Sequence, residues 1–167
     1  GVQGFQKILS DMFTATETFR ERLASRDDIL VINQDAVWLA TFFILKPKEF
    51  SDLTLEGIHE LSEEQIDRIR TYNTDYAKYI LQKGEQGDVS FTYTSSRSYK
   101  IPGTDISLGG LKAYPMSPVL TAQEVDRIVH EVGESVELYA GGNDNAGYSQ
   151  RKYISDEMVY REKTKKE

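Results

Sequence analysis

Two basic residues in this sequence could carry binding chemistry, and Lys112 is the first. It lies between Leu111 and Ala113 in an otherwise apolar, strand-like stretch. Because the side chains of a strand point alternately to the two faces of a sheet, the simplest expectation places Lys112 on the solvent side. If it instead faces a cleft, its ammonium can pair with the carboxylate of a substrate.

Arg97 is the second candidate. It lies in residues 92–99, which read TYTSSRSY and surround the guanidinium with hydroxyl groups. A segment this rich in serine and threonine is typical of a solvated surface loop, which is the simpler interpretation. The alternative makes Arg97 a second contact for a bound substrate.

Other kinds of catalytic chemistry have little support. The sequence has no cysteine, so disulfides, thiolate metal sites and a cysteine nucleophile are excluded. His59 and His130 lie far apart in the sequence, and we expect a structural or solvent-facing role for each. The carboxylates are spread over helix faces without metal-ligand spacing, and no glycine-rich phosphate-binding motif is present.

The composition predicts a globular protein that avoids anionic partners. The chain has 167 residues and a formal net charge of -7, which disfavours nucleic acid and anionic lipid surfaces. Its longest apolar runs are far shorter than the roughly 20 residues of a membrane span. We therefore expect a soluble, cytoplasmic protein that binds neither nucleic acid nor membrane.

Hydrophobic periodicity predicts the elements that position Lys112 and Arg97. Residues 5–23 carry apolar side chains mostly three and four apart, which is the pattern of a helix with one buried face. Two capping boxes, Ser62 with Gln65 and Thr121 with Glu124, mark the starts of two further helices. Gly84 is placed to end the first of these. Residues 51–61 are expected to form a loop or a short irregular stretch.

Short β-branched and aromatic runs predict strands at residues 28–33, 36–45, 89–93 and 109–114. Residues 95–104 are polar and are expected to form a connecting loop. The order of elements predicts an α+β fold, with an about four-stranded, mostly antiparallel sheet and helices packed on one face. Residues 1–140 are expected to form this small domain, and residues 141–167 a polar, charged tail.

Three stretches resemble the C-terminal domain of the group II pyridoxal-phosphate-dependent amino-acid decarboxylases. The opening GVQGFQKILSDMFTATETFRERL is similar to the helix that leads out of the family's large domain, and DDILVINQDAVWLATFFILKP to the strand pair that follows. GGLKAYPMSPVLTAQEVDRIVHEV is similar to the closing strand, the proline-containing corner and the last helix. The resemblance covers residues 1 to about 135.

The resemblance implies a fold type I enzyme in which pyridoxal phosphate (PLP) forms a Schiff base with a lysine and acts as the electron sink for loss of carbon dioxide. It implies that an N-terminal PLP-bearing chain or segment carries that lysine and that this chain completes the active site, so we expect no complete catalyst in this chain alone. It also implies a dimer of the assembled enzyme and a small amino-acid substrate.

At the position of Lys112 the family often has an arginine that meets the substrate carboxylate. Lysine cannot make the bidentate contact that arginine makes, so this departure bears on substrate choice and on activity. Two alternatives remain open: a non-catalytic α+β module that binds a small molecule or another protein, and an inactive relative of the decarboxylases. Exposure of Phe5, Met12 and Phe13 would indicate a partner, whereas their burial would favour the module.

Overall fold

The computed structural model of the chain describes residues 1–37, 39–85, 94–100, 103, 105, 107–114 and 120–143. The chain divides into two compact units, Gly1–Val136 and Glu137–Glu167. The first contains the sheet and most of the described helices, and in the second the structure describes a helical segment up to residue 143. None of the helices in these described residues has a stretch long and apolar enough to cross a bilayer.

The first helix, α1 (Val2–Ala24), confirms the predicted helix but not its predicted burial. Its buried residues all lie in the C-terminal half: Ala15, Thr16, Phe19, Arg20 and Leu23. In the N-terminal half, Val2, Phe5 and Ile8 are 75%, 61% and 43% exposed. The helix is about 35 Å long, and the adjacent three-residue strand is only about 10 Å long. The prediction of one buried face along the whole helix is therefore wrong for its first half.

Four strands form one sheet: β1 (Ile29–Val31), β2 (Thr41–Leu45), β3 (Thr94–Lys100) and β4 (Ser107–Ala113). Their order is β1-β2-β4-β3, and all neighbouring strands are antiparallel. The predicted α+β class and the antiparallel pairing are confirmed.

Both faces of the central strand β2 are covered. Phe43 and Ile44 are neighbours that point to opposite faces, and both are buried. Ile44 packs in a cluster with Ile58, Ile66 and Leu108, so the residues before the second helix and its first turns cover part of that face. This segment therefore contributes to the burial of one face of β2.

Two strand predictions differ from the structure. Ala36, Val37, Leu39 and Ala40 are not in a strand, because side chains of Arg20 and Asn33 bind the main-chain carbonyls of Ala36 and Ala40 in place of a strand neighbour. Residues 94–100, predicted as loop, form β3, since hydroxyl-bearing and aromatic side chains are also compatible with a strand when a partner such as β4 is available. The strand predicted at residues 89–93 lies outside the described residues.

The second helix, α2 (Glu63–Glu85), follows a segment with short 3-10 turns at Lys48–Phe50 and Gly57–Glu60. The second turn lies in residues 51–61, where the sequence predicted a loop or a short irregular stretch. Its predicted capping box is confirmed. The Ser62 N–H donates to Gln65 Oε1 at 2.8 Å, and the Gln65 N–H donates to Ser62 Oγ at 3.3 Å. The helix continues one residue beyond Gly84, its predicted terminator.

The third helix, α3 (Ala122–Asn143), begins at the second predicted capping box. The Thr121 N–H donates to Glu124 Oε2 at 2.8 Å, and the Glu124 N–H donates to Thr121 Oγ1 at 3.3 Å. The helix continues through Gly141 and Gly142, where the sequence predicted the start of the tail. The rest of the predicted tail lies outside the described residues.

Candidate functional site

Lys112 lies in the middle of the sheet. In β4 it is paired with Phe42 of β2 on one side and with Thr94 of β3 on the other. Alternation places it on the face opposite Leu111, which is fully buried against the core. Lys112 itself is half-buried. The face of the sheet that was expected to be open to solvent is therefore partly covered at Lys112.

The Lys112 ammonium is held between two aromatic rings. Its Nζ lies 5.0 Å from the ring centroid of Phe42 and 4.6 Å from that of Tyr114. Both distances are within the range in which a ring face attracts a cation. Among the described residues, no carboxylate forms an ion pair with Lys112, so its N–H groups can donate hydrogen bonds to an anionic ligand. We call Lys112, Phe42 and Tyr114 the lysine site.

Arg97 is not the cross-strand partner of Lys112. It lies in β3, where the register with β4 shifts between Ser96 and Tyr99. The side chain of Arg97 falls outside the part of the chain that the structure describes. Its contact with a substrate remains a prediction.

Two residues that the sequence did not single out fix the backbone beside the lysine site. The Asn33 side chain accepts a hydrogen bond from the Phe42 N–H at 2.8 Å and donates one to the Ala40 carbonyl at 2.9 Å. Arg20, 5% exposed, donates to the carbonyls of Gln34, Ala36 and Ala40 at 3.3, 2.7 and 3.4 Å. They hold the segment that leads into Phe42.

Burial lowers the pKa of Arg20 by disfavouring its charged form, and the nearby carboxylates of Glu17 and Asp35 oppose this effect. A signal for its role was present in the sequence. Arg20 occupies a position on the apolar stripe of α1, between Phe19 and Leu23. A charged residue there needs polar partners inside the fold.

The two histidines do not contribute to this site. His59 lies in a 3-10 turn and His130 in α3, and both are exposed. The nearest charged partner of His130 is Glu134, whose Oε1 lies 3.6 Å from the imidazole Nε2. Over the described ranges no group of three or more histidine or acidic residues could hold a metal ion.

The described residues around the lysine site do not make up a PLP site. Such a site needs a carboxylate for the pyridine nitrogen and several donors for the phosphate, in addition to a lysine. Lys112 has aromatic rings as its contacts. Among the described residues, the surroundings of Lys112 are therefore suited to a cation that contacts a ligand. They are not suited to the lysine that binds the cofactor.

The fold has a counterpart among solved structures. No protein-family model matches the chain, and no curated protein does. The crystal structure of mouse CSAD in apo form matches with a TM-score of 0.57 and 17% sequence identity. The match covers 84% of this chain and 25% of the CSAD chain, so the chain spans about a quarter of that protein's length. The chain therefore has a fold like part of mouse CSAD.

Proposed function

We propose that this chain is the C-terminal small domain of a PLP-dependent amino-acid decarboxylase and that it completes the active site of a larger assembly. The observation that carries the proposal is the structural likeness to mouse CSAD, because most of this chain corresponds to only 25% of that protein. The three stretches that resemble the family in sequence support the same part of the enzyme.

In this proposal Lys112 contacts the carboxylate of a small amino-acid substrate. Its ammonium is half-buried, lies against two aromatic rings, and has no carboxylate partner among the described residues. A substrate carboxylate would supply the missing counter-charge with a charge-assisted hydrogen bond. Because lysine is a single point donor, the contact is monodentate where the family often has a bidentate arginine. Arg97 is proposed as a second contact to the substrate.

The PLP itself is proposed to be bound by an N-terminal chain or segment, and the assembled enzyme to be a dimer. The lysine site supports this division because its contacts among the described residues, the rings of Phe42 and Tyr114, include no carboxylate for a pyridine nitrogen. The exposed side chains at the start of α1 also support a partner, since they leave apolar surface uncovered in this chain.

Native mass spectrometry of the protein from its source, together with a visible absorption spectrum, tests the assembly. We expect a particle that contains a larger chain with bound PLP. A colourless particle made of this chain alone would contradict the proposal and favour a non-catalytic binding module.

Kinetics of the assembled enzyme test the lysine site. Removing a charged hydrogen bond in Lys112→Met should lower kcat/KM by about tenfold to a hundredfold. Lys100→Met is the matched control, because Lys100 is exposed and its ion pair is with Asp105. An unchanged kcat/KM in Lys112→Met would rule out the substrate contact. An enzyme that binds PLP but decarboxylates no amino acid would indicate the inactive relative.

A further inference from the structure

The apolar side chains of α1 form one continuous stripe. With a rotation of about 100° per residue, the stripe stays within about 140° of arc along the helix. Its apolar members are Val2, Phe5, Ile8, Leu9, Met12, Phe13, Phe19 and Leu23, and Thr16 and Arg20 lie within the same arc in its second half. The ion pair between Lys7 and Asp11 lies on the opposite side of the helix. The stripe is therefore uncharged over its first half.

Only the second half of this stripe is covered by the chain itself. Phe19 and Leu23 are buried, whereas Val2, Phe5 and Ile8 are exposed. Leu9, Met12 and Phe13 are partly exposed between them. We call residues 2–13 the α1 overhang. An exposed apolar patch that continues a buried one marks a surface that another protein part covers.

The size of the overhang indicates what covers it. Its exposed side chains run over about 9 Å of a helix that is about 10 Å wide, from Val2 to Ile8. This footprint of about 90 Å² is small beside the roughly 800 Å² per partner of a stable free-standing interface. A second copy bound through this stripe alone would be held weakly. An interface between two domains of one enzyme can be smaller and still hold them together. Other contacts or a linker keep the domains close, which raises the effective concentration of each for the other.

We propose that the α1 overhang is the docking surface for the PLP-bearing part of the enzyme, which would present an apolar groove without charges. This inference rests on the proposed function. The match to mouse CSAD leaves three-quarters of that fold outside this chain, so a larger body is available to cover the stripe. Because the first half of the stripe carries no charged side chain, hydrophobic burial holds the two parts together.

Hydrogen–deuterium exchange tests the proposal on the PLP-containing particle and on the 167-residue chain alone. We expect amides in residues 2–13 to exchange at least about tenfold more slowly in the particle. A double variant, Phe5→Ser with Ile8→Ser, should reduce PLP retained with this chain after gel filtration. Since both side chains are exposed in the 167-residue chain alone, the thermal unfolding midpoint of that chain should be the same with and without the two substitutions. Lys7→Ser on the opposite side should leave PLP retention unchanged.

The other outcomes separate this inference from the proposed function. A PLP-containing particle with fast exchange in residues 2–13, or one that the double variant leaves intact, would overturn the docking surface and leave the proposed function standing. A homodimer without PLP that protects these residues would assign the surface to a second copy. If the chain carries no PLP and the amides in residues 2–13 are not protected from exchange, both proposals are overturned.

Discussion

The side chain of Asn73 takes the place of a strand neighbour beside Leu45. Its Oδ1 accepts a hydrogen bond from the Leu45 N–H at 2.7 Å, and its Nδ2 donates to the Leu45 carbonyl at 3.0 Å. The pairing of β2 with β4 extends only to Phe43, which pairs with Leu111. At that point the buried amide of Asn73 satisfies both main-chain groups and joins α2 to the sheet.

Asn73→Leu should therefore destabilise the fold strongly. The substitution is similar in size but leaves the N–H and the carbonyl of Leu45 buried without their present partner, which costs about 1–3 kcal/mol per group. Urea denaturation should show that the free energy of unfolding falls by at least about 2 kcal/mol. Thr71→Leu on the exposed side of the same helix is the control and should change stability by less than about 0.5 kcal/mol.

The hydroxyls of Tyr76 and Ser135 should be energetically coupled. They lie 2.6 Å apart in the core and connect α2 to α3, and Ser135 also donates to the Val132 carbonyl. A double-mutant cycle with Tyr76→Phe and Ser135→Ala should give a coupling of about 0.5–1.5 kcal/mol in urea denaturation. Additive effects of the two substitutions would show that this hydrogen bond does not contribute.

Arg20→Lys should loosen the segment before β2 even though the charge is kept. A lysine ammonium cannot present the guanidinium fork that reaches the carbonyls of Gln34, Ala36 and Ala40. We expect the free energy of unfolding to fall by about 2 kcal/mol or more. We also expect faster hydrogen exchange of the Phe42 amide. Arg22→Lys is the control, because Arg22 is exposed on the same helix. Similar effects of the two substitutions would contradict this role for Arg20.

The cap of α3 should depend on pH, whereas the cap of α2 should not. Hydrogen bonds from the Thr121 backbone and hydroxyl lower the pKa of Glu124 below its ordinary value of 4.5. A carboxyl with a lowered pKa in the folded state stabilises the fold above 4.5, and this contribution is lost as the pH falls through the folded-state value.

Thr121→Ala should accordingly flatten the fall in stability on the acid side of pH 4.5. The matched variant is Ser62→Ala, which removes a cap whose partner, Gln65, does not ionise. It should weaken stability by a similar amount at every pH. Urea midpoints measured from neutral to acid pH check both expectations, and equal acid slopes in Thr121→Ala and the unmodified chain would contradict the first.

The sequence predicted the three helices well because their signals are local. The capping boxes at Ser62 and Thr121 and the apolar stripes need only neighbouring residues to be recognised. The uncovered half of α1 was not predictable in this way. Whether Phe5 is buried depends on how far the sheet extends beside it, and this is a property of the assembled fold.

Arg20 and Asn73 show what local signals leave out. Each is a polar residue on an apolar stripe, and each binds main-chain groups that lie far away in the sequence. Their positions indicated that partners were needed but did not identify them. The surroundings of Lys112 were hidden for a related reason, since Phe42 comes to lie beside it only through the register of β2 with β4.

Arg97 illustrates the opposite difficulty. Its hydroxyl-rich surroundings are compatible with a loop and with a strand, and pairing with β4 decides between the two. A segment whose own preference is weak takes the conformation that its neighbour stabilises.

The short and irregular strands at the two margins of the sheet bear on aggregation. β1 has only three residues, and β3 contains a break in register between Ser96 and Tyr99. A long, flat outer strand is a template on which another chain can add, and shortening or bending such a strand removes the template. Under the proposed assembly, the α1 overhang stays uncovered until the partner binds. The short and irregular outer strands would then disfavour misassembly by strand addition during that interval.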